Sequence, residues 1–118
     1  LLIRGLIKYQ NYLILPTFLK DVKNSWFTFP IVVRKNKKFK KKHLVDNLSK
    51  NRIANRPIIA GNIADQPFLK KFKFRKTTLE NSKLVMTNGF FIGLNHKLNK
   101  NNINYILNAF DNFFKKLK

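Results

Sequence analysis

The chain has 118 residues, 44% of them hydrophobic with 12 Phe, and a formal net charge of +20 from 25 Lys and Arg against 5 Asp and Glu. That length allows one domain with one modest core, and the apolar share suffices to fill it, which argues against disorder despite the charge. Cysteine is absent, so disulfides, thiolate metal sites and iron–sulfur ligation within this chain are excluded, and no run approaches the roughly 20 apolar residues of a membrane helix.

Leu2, Ile3, Leu6 and Ile7 recur at spacings of three and four, which predicts one face of a helix over Leu1 to Gln10. Arg4, Lys8 and Gln10 interrupt this stretch, and no basic region precedes a long apolar one, so a secretory leader is not expected; a cytoplasmic location fits. No cap and no initiator methionine precede the helix, so it reads as the end of one that starts earlier, and the chain as a fragment. Pro16 closes the apolar run Tyr12 to Leu15, and Asp21 to Ser25 predicts a polar turn. Trp26 to Val33, aromatic and β-branched, is the strongest strand. Pro30 inside it favours an edge or a bulge.

Lys35 to Lys42 is a charge run leading into a helix whose apolar side is Phe39, Leu44, Val45 and Leu48. His43 has no second histidine or carboxylate at metal-ligand spacing and is expected to be exposed or partly packed. Arg52 to Ile59 predicts a second strand, which feeds the stretch from Asn55 to Pro67. There Pro57 holds Arg56 towards an extended conformation, and Gly61 permits unusual backbone angles and a close approach. Taken by itself, the stretch reads equally as a binding loop and as a polar turn.

Phe68, Phe72 and Phe74 alternate with Lys70, Lys71, Lys73 and Arg75. Rings exposed on one strand face beside such charges would stack bases, but so small a core needs its aromatic residues, and burial is expected. Thr77-Thr78-Leu79-Glu80 predicts a capping box opening a helix to about Thr87, with Gly89 ending it in a left-handed cap. Phe90 to Leu94 is a third strand. Asn99 caps a final helix, where Ile103, Ile106, Leu107, Phe110, Phe113, Phe114 and Leu117 form the clearest amphipathic stripe, and Lys115, Lys116 and Lys118 complement its dipole. Alternating strands and helices predict an α+β domain: a small mixed or antiparallel sheet backed by helices on one side.

The charge is concentrated in two places, Lys35 to Lys42 and Lys70 to Lys76. A functional basic patch would neutralise phosphates. Lysines spread among Asn, Ile and Phe are also what an AT-rich coding sequence leaves at tolerant surface positions, and a solvated surface is expected. The acids Asp21, Asp46, Asp65, Glu80 and Asp111 make no pair for acid–base work. No phosphate loop or nucleophile motif is visible.

The run Asn51-Arg52-Ile53-Ala54-Asn55-Arg56-Pro57-Ile58-Ile59-Ala60-Gly61-Asn62, followed by Gln66-Pro67, resembles the C-terminal part of the DegT/DnrJ/EryC1/StrS family. These are pyridoxal-phosphate enzymes acting on nucleotide-linked keto sugars, mostly as aminotransferases and in one branch as 3-dehydrases. Tyr12 to Pro16 and Ser25 to Ile31 resemble the family's entry into its small domain, and Asn88-Gly89-Phe90-Phe91-Ile92-Gly93 its late strand. Almost the whole chain is covered, in the right order.

The resemblance implies that residues 1–118 are the single C-terminal small domain of a fold-type I aminotransferase, with 1–10 ending a connecting helix from a large domain. It implies a cytoplasmic enzyme, homodimeric when complete, that binds pyridoxal 5'-phosphate and a nucleotide-linked keto sugar in lipopolysaccharide or other surface-polysaccharide synthesis. The cofactor lysine, or the histidine that replaces it in the dehydrase branch, is then expected in the large domain, so this chain alone is not expected to be active. Arg56 is the first candidate for substrate binding, as a guanidinium clamp. Asn62 and Gln66 would add hydrogen bonds from the loop, and Asn88 and His96 from the other wall. The Ala-Gly-Asn loop and the Asn-Gly-Phe-Phe strand look most like the dehydrase-containing branch. Where that branch has an Asn-His pair directly after the glycine, this chain has Leu94-Asn95-His96, a shift of one residue. Two other readings are a small basic nucleic-acid-binding module, which needs basic and aromatic residues on one exposed face, and a degenerate remnant.

Overall fold

The computed structural model describes residues 1–18, 20–22, 24–75 and 77–117. The chain runs through α1 (Leu2–Leu6), β1 (Leu13–Ile14), β2 (Thr28–Val33), α2 (Lys41–Lys50), β3 (Asn55–Pro57), α3 (Glu80–Asn88), β4 (Gly89–Gly93) and α4 (Lys100–Lys115), with 3₁₀ turns at Ile7–Tyr9, Ile63–Asp65 and Pro67–Lys71. The four strands form one sheet in the order β1-β2-β4-β3, and every neighbouring pair is antiparallel. The α+β expectation is met, in its antiparallel form.

Alternation along β2 buries Phe29, Ile31 and Val33. The register sets Phe29 opposite Ile92 and Ile31 opposite Phe90, and Leu13 opposite Val33. These side chains share one face and belong to one core with Leu2 and Leu6 of α1, Leu44 and Leu48 of α2, and Ile106, Ala109, Phe110, Phe113 and Phe114 of α4. By contrast, α3 buries no residue. The helix α4 starts on a reciprocal cap, in which the Asn99 side chain accepts from the Asn102 amide and the Asn102 side chain from the Asn99 amide, both at 3.0 Å.

Pro30 sits where its missing N–H does least harm. The Leu94 amide donates to the Phe27 carbonyl, and the Arg34 amide to the Tyr12 carbonyl, so by antiparallel alternation Pro30 faces the β1 side. There β1 reaches only Val32 and Val33.

Several expectations need correction. The second strand covers only Asn55–Pro57, because Arg52 takes a left-handed φ of 55°. Its amide donates to Ser49 and that of Ile53 to Leu48, the Schellman arrangement that terminates a helix. Threonines 77 and 78 make no capping box: α3 begins at Glu80 with Leu79 as its N-cap and no side-chain bond there. Gly89 is extended, with φ −85° and ψ 145°, because α3 passes straight into β4. Its need is for space, since a Cβ would collide with the Val85 carbonyl oxygen and lie 2.8 Å from Ile58 Cδ1. Ile7 is exposed because α1 gives way to the tighter turn at that point. Phe68, Phe72 and Phe74 are not core residues, being 57%, 63% and 44% exposed. Phe68 lies in a 3₁₀ turn that ends at Lys71, Phe72 and Phe74 follow it in irregular chain, and the rings of α4 fill the core in their place. Lys76 and Lys118 lie outside the described residues.

The two ends of the chain are fastened together. Tyr9 stacks on Phe114 with centroids 4.0 Å apart, its hydroxyl donates to Asp111 Oδ1 at 2.7 Å, and Lys8 Nζ lies 2.8 Å from the same carboxylate. Burial, followed by the bond to and charge of Asp111, pushes the Tyr9 hydroxyl up. Burial acts against the Asp111 carboxylate too, yet hydrogen bonds from Lys8 and Tyr9 and the charges of Lys8 and Lys115 outweigh it and hold the carboxyl below the usual range.

Two outcomes follow for stability. Phe110→Ala, at a fully buried position, is expected to cost about 3–5 kcal/mol in urea unfolding. Asp111→Asn is expected to cost about 1–2 kcal/mol at pH 7. Because folding lowers this carboxyl's pKa, its contribution is complete above the unfolded value of about 4 and fades as pH falls through the folded one. Melting curves of the parent and the variant should therefore converge in acid.

Candidate functional site

Arg56 stands on β3, which pairs on one side only, with β4. The register places it opposite Phe91, and Phe91 opposite Pro30, a row on the sheet face away from the core. Its side chain is exposed, and among the described residues no ion pair engages it.

Beyond Pro57 the chain closes into a tight loop. Ala60 and Gly61 both take left-handed backbone angles, with φ of 62° and 49°. A Cβ at Gly61 would lie 2.6 Å from the Cα of Met86, so the expected close approach is made, against α3. Asn62 is the one buried polar side chain among the described residues. It donates to Asp65 Oδ2 at 2.8 Å and accepts from the Ala64 amide at 3.3 Å. Gln66 Nε2 donates back to the Ala60 carbonyl at 3.1 Å and rests 3.9 Å from Met86 Sδ. Both amides therefore hold the loop's shape, while Arg56 projects beside it.

Asn88 and His96 stand at opposite ends of β4. Asn88 Nδ2 donates to the Val33 carbonyl at 2.9 Å and ties the end of α3 to the end of β2. His96 is exposed and lines a groove of about 1160 Å³ with Arg4, Phe18, Trp26, Asn95 and Leu98. Arg56, Asn62 and Gln66 thus belong to one segment, β3 and the loop after it, whereas Asn88 and His96 line two other cavities, so the five residues are not brought together around one site. The groove was not anticipated from sequence, because Arg4 and Trp26 are brought to His96 only by tertiary folding. His43 is exposed, as expected, and among the described residues no cluster of His, Cys, Asp and Glu able to hold a metal ion is present. The Phe68 to Arg75 segment has exposed rings and charges, but it offers no strand face on which bases would stack in succession.

The strain at Ala60 and the cap at Asn62 are separable by mutation. Ala60→Gly, which removes the left-handed penalty, is expected to raise stability by about 1 kcal/mol. Asn62→Ala, which leaves the Asp65 carboxylate and the Ala64 amide unpaired, is expected to lower it by about 1–2 kcal/mol. Urea unfolding of the two variants should therefore shift in opposite directions.

Known proteins share this arrangement. The profile of the DegT/DnrJ/EryC1/StrS aminotransferase family matches residues 1–111. The lipopolysaccharide biosynthesis protein RfbH of Salmonella typhimurium is 31% identical over 112 residues, which are 94% of this chain and 26% of that protein. The GDP-4-keto-6-deoxy-D-mannose 3-dehydratase of Escherichia coli O55:H7 is 30% identical over 93 residues, 77% of this chain and 24% of that protein. A solved structure of the E. coli GDP-4-keto-6-deoxy-D-mannose-3-dehydratase with bound hydrated PLP superposes with a TM-score of 0.74 at 28% identity, over 92% of this chain and 28% of that one. The chain thus spans about a quarter of the length of the relatives it matches. With the match running from the first helix into the last, the chain belongs to the DegT/DnrJ/EryC1/StrS aminotransferase family.

Proposed function

We propose that residues 1–118 are the C-terminal, substrate-closing domain of a pyridoxal-phosphate enzyme that acts on a nucleotide-linked keto sugar, as an aminotransferase or a 4-keto-6-deoxysugar 3-dehydrase in surface-polysaccharide synthesis. In this reading residues 1–10 end a connecting helix from a large cofactor-binding domain, and the complete enzyme is a cytoplasmic homodimer. The observation that carries it is the agreement of fold and sequence, over nearly the whole chain, with a 3-dehydratase whose solved structure holds PLP. Among the described residues no helix is long and apolar enough to cross a membrane.

The residues present do not make a pyridoxal-phosphate site by themselves. That cofactor takes an acidic partner for its pyridine nitrogen. Here Asp46 is bonded to Lys42, Asp65 to Asn62, and Asp111 to Lys8 and Tyr9, while Asp21 and Glu80 are exposed. No carboxylate lines any of the three cavities described. This supports a chain that closes over a cofactor held by the large domain.

Within the proposal the five polar residues divide the work. Arg56 grips the diphosphate, because a guanidinium presents paired N–H donors in one plane. His96, at the rim of its groove, bonds a sugar hydroxyl. Asn62 and Gln66 hold the loop that borders Arg56, and Asn88 fixes the entry to β4.

The test is a chimera in which residues 1–118 replace the matching segment of the E. coli 3-dehydratase. The chimera is expected to retain the cofactor and turn over its sugar nucleotide. Arg56→Ala in it is expected to lower kcat/KM by about 10–100-fold, chiefly through KM. A folded chimera that releases the cofactor, or an Arg56→Ala variant with unchanged KM, would overturn the reading.

A further inference from the structure

The lysines of the charge run at Lys35 to Lys42 are exposed except Lys41, which is half-buried. The run folds around a cavity of about 390 Å³ lined by Arg34, Lys35, Lys40, Lys41, Lys42 and Asn88, among others. Among the described residues, Asp46 is the carboxylate that answers any of these five cations, and it is bonded to Lys42 at 2.8 Å. Arg34 spends its Nε on the Gln10 carbonyl at 2.9 Å and keeps its terminal nitrogens. Lys41 is partly buried, its ammonium 3.4 Å from the Gly89 carbonyl. Burial without an anion holds its pKa below the usual lysine range. Like charges gathered in a concave, partly desolvated site repel one another, and an anion placed among them relieves that repulsion.

The surroundings narrow the kind of anion. The apolar side chains on the cavity wall, Val33 and Phe39, are themselves buried in the core. None is available to enter a lipid layer or to stack on a base. The cavity is wider than a single phosphate needs, and its cations come from two adjoining segments, the end of β2 and the start of α2. We infer that this cavity binds a soluble anion carrying two linked phosphoryl groups, with Lys41 as its innermost contact. Neither Arg56 nor His96 lines it, and Asn88, which does, is engaged by the Val33 carbonyl in fixing the entry to β4, so the site is separate from the Arg56 clamp proposed above.

Isothermal titration of the 118-residue chain with inorganic pyrophosphate tests this. Binding at one site per chain is expected. Lys41→Gln should weaken it by at least about tenfold, Lys41→Arg should keep it within about threefold, and Lys35→Gln should weaken it in the same direction. Lys70→Gln removes the same single charge from the other basic run and should leave the affinity unchanged. Circular dichroism of each variant separates a lost site from a lost fold, and if Lys41→Gln does not fold, Lys35→Gln and Lys41→Arg decide. Absence of saturable binding, equal loss in Lys70→Gln, or no loss in the folded Lys41→Gln and Lys35→Gln variants would overturn the assignment. So would Lys41-dependent binding to phosphatidylglycerol vesicles, or to a single-stranded oligonucleotide, without binding of pyrophosphate.

Discussion

The docking of α4 is the interaction on which the rest of this fold depends. A chain of net charge +20 repels itself when compact, and apolar burial is the term that opposes this. The aromatic stripe of α4 supplies much of it. Phe39, from the segment before α2, meets Phe113 and Phe114 edge-on at 5.2 and 5.6 Å. Tyr9 and Tyr12, from the other end of the chain, stack on Phe114. Segments about a hundred residues apart thus share one ring cluster, and strands of two to six residues gain from it a stability they lack as an isolated sheet.

That arrangement leaves β3 and the loop after it at the margin. The strand β3 contributes three residues to the sheet, and the loop after it is kept in place by means other than core burial. The carbonyl of Ala60, the amides of Asn62 and Gln66 and the backbone of α3 hold it instead. A loop fixed by its own polar groups keeps its shape while its outer face stays open, and Arg56 stands beside it on an edge strand.

Legibility followed the physical range of each signal. The stripe of α4 was evident because apolar residues repeat from Ile103 to Leu117, and Asn99 marked its start by a bond to a residue three positions on. Of the expected strand Trp26 to Val33, the part from Thr28 was evident for the same local reason, and Trp26 and Phe27 lie before it. The Asn55 to Gln66 stretch stood out through its residue types and its family pattern, although nothing in an alanine announces the left-handed angle at Ala60. Failures came where one residue type serves several purposes. Arg52 holds a helix-ending position that glycine usually takes, and Gly89, read as a cap, is instead a gap through which Ile58 and the Val85 carbonyl approach. Phe68, Phe72 and Phe74 were assigned to a core that α4 had already filled. The pairing of His96 with Arg4 and Trp26 around one groove depends on chain reversal, and no local pattern encodes it.

The proline of β2 has a meaning beyond its tolerated place. Because β1 is so short, among the described residues no strand pairs with the first half of β2 on the side towards which Thr28 and Pro30 face. An exposed edge of this kind invites strand addition from another molecule. With no N–H at Pro30, that edge retains one donor where a ladder would need two, so an incoming strand finds no continuous register. Pro30 thereby weakens the template that this stretch of β2 offers to an incoming strand.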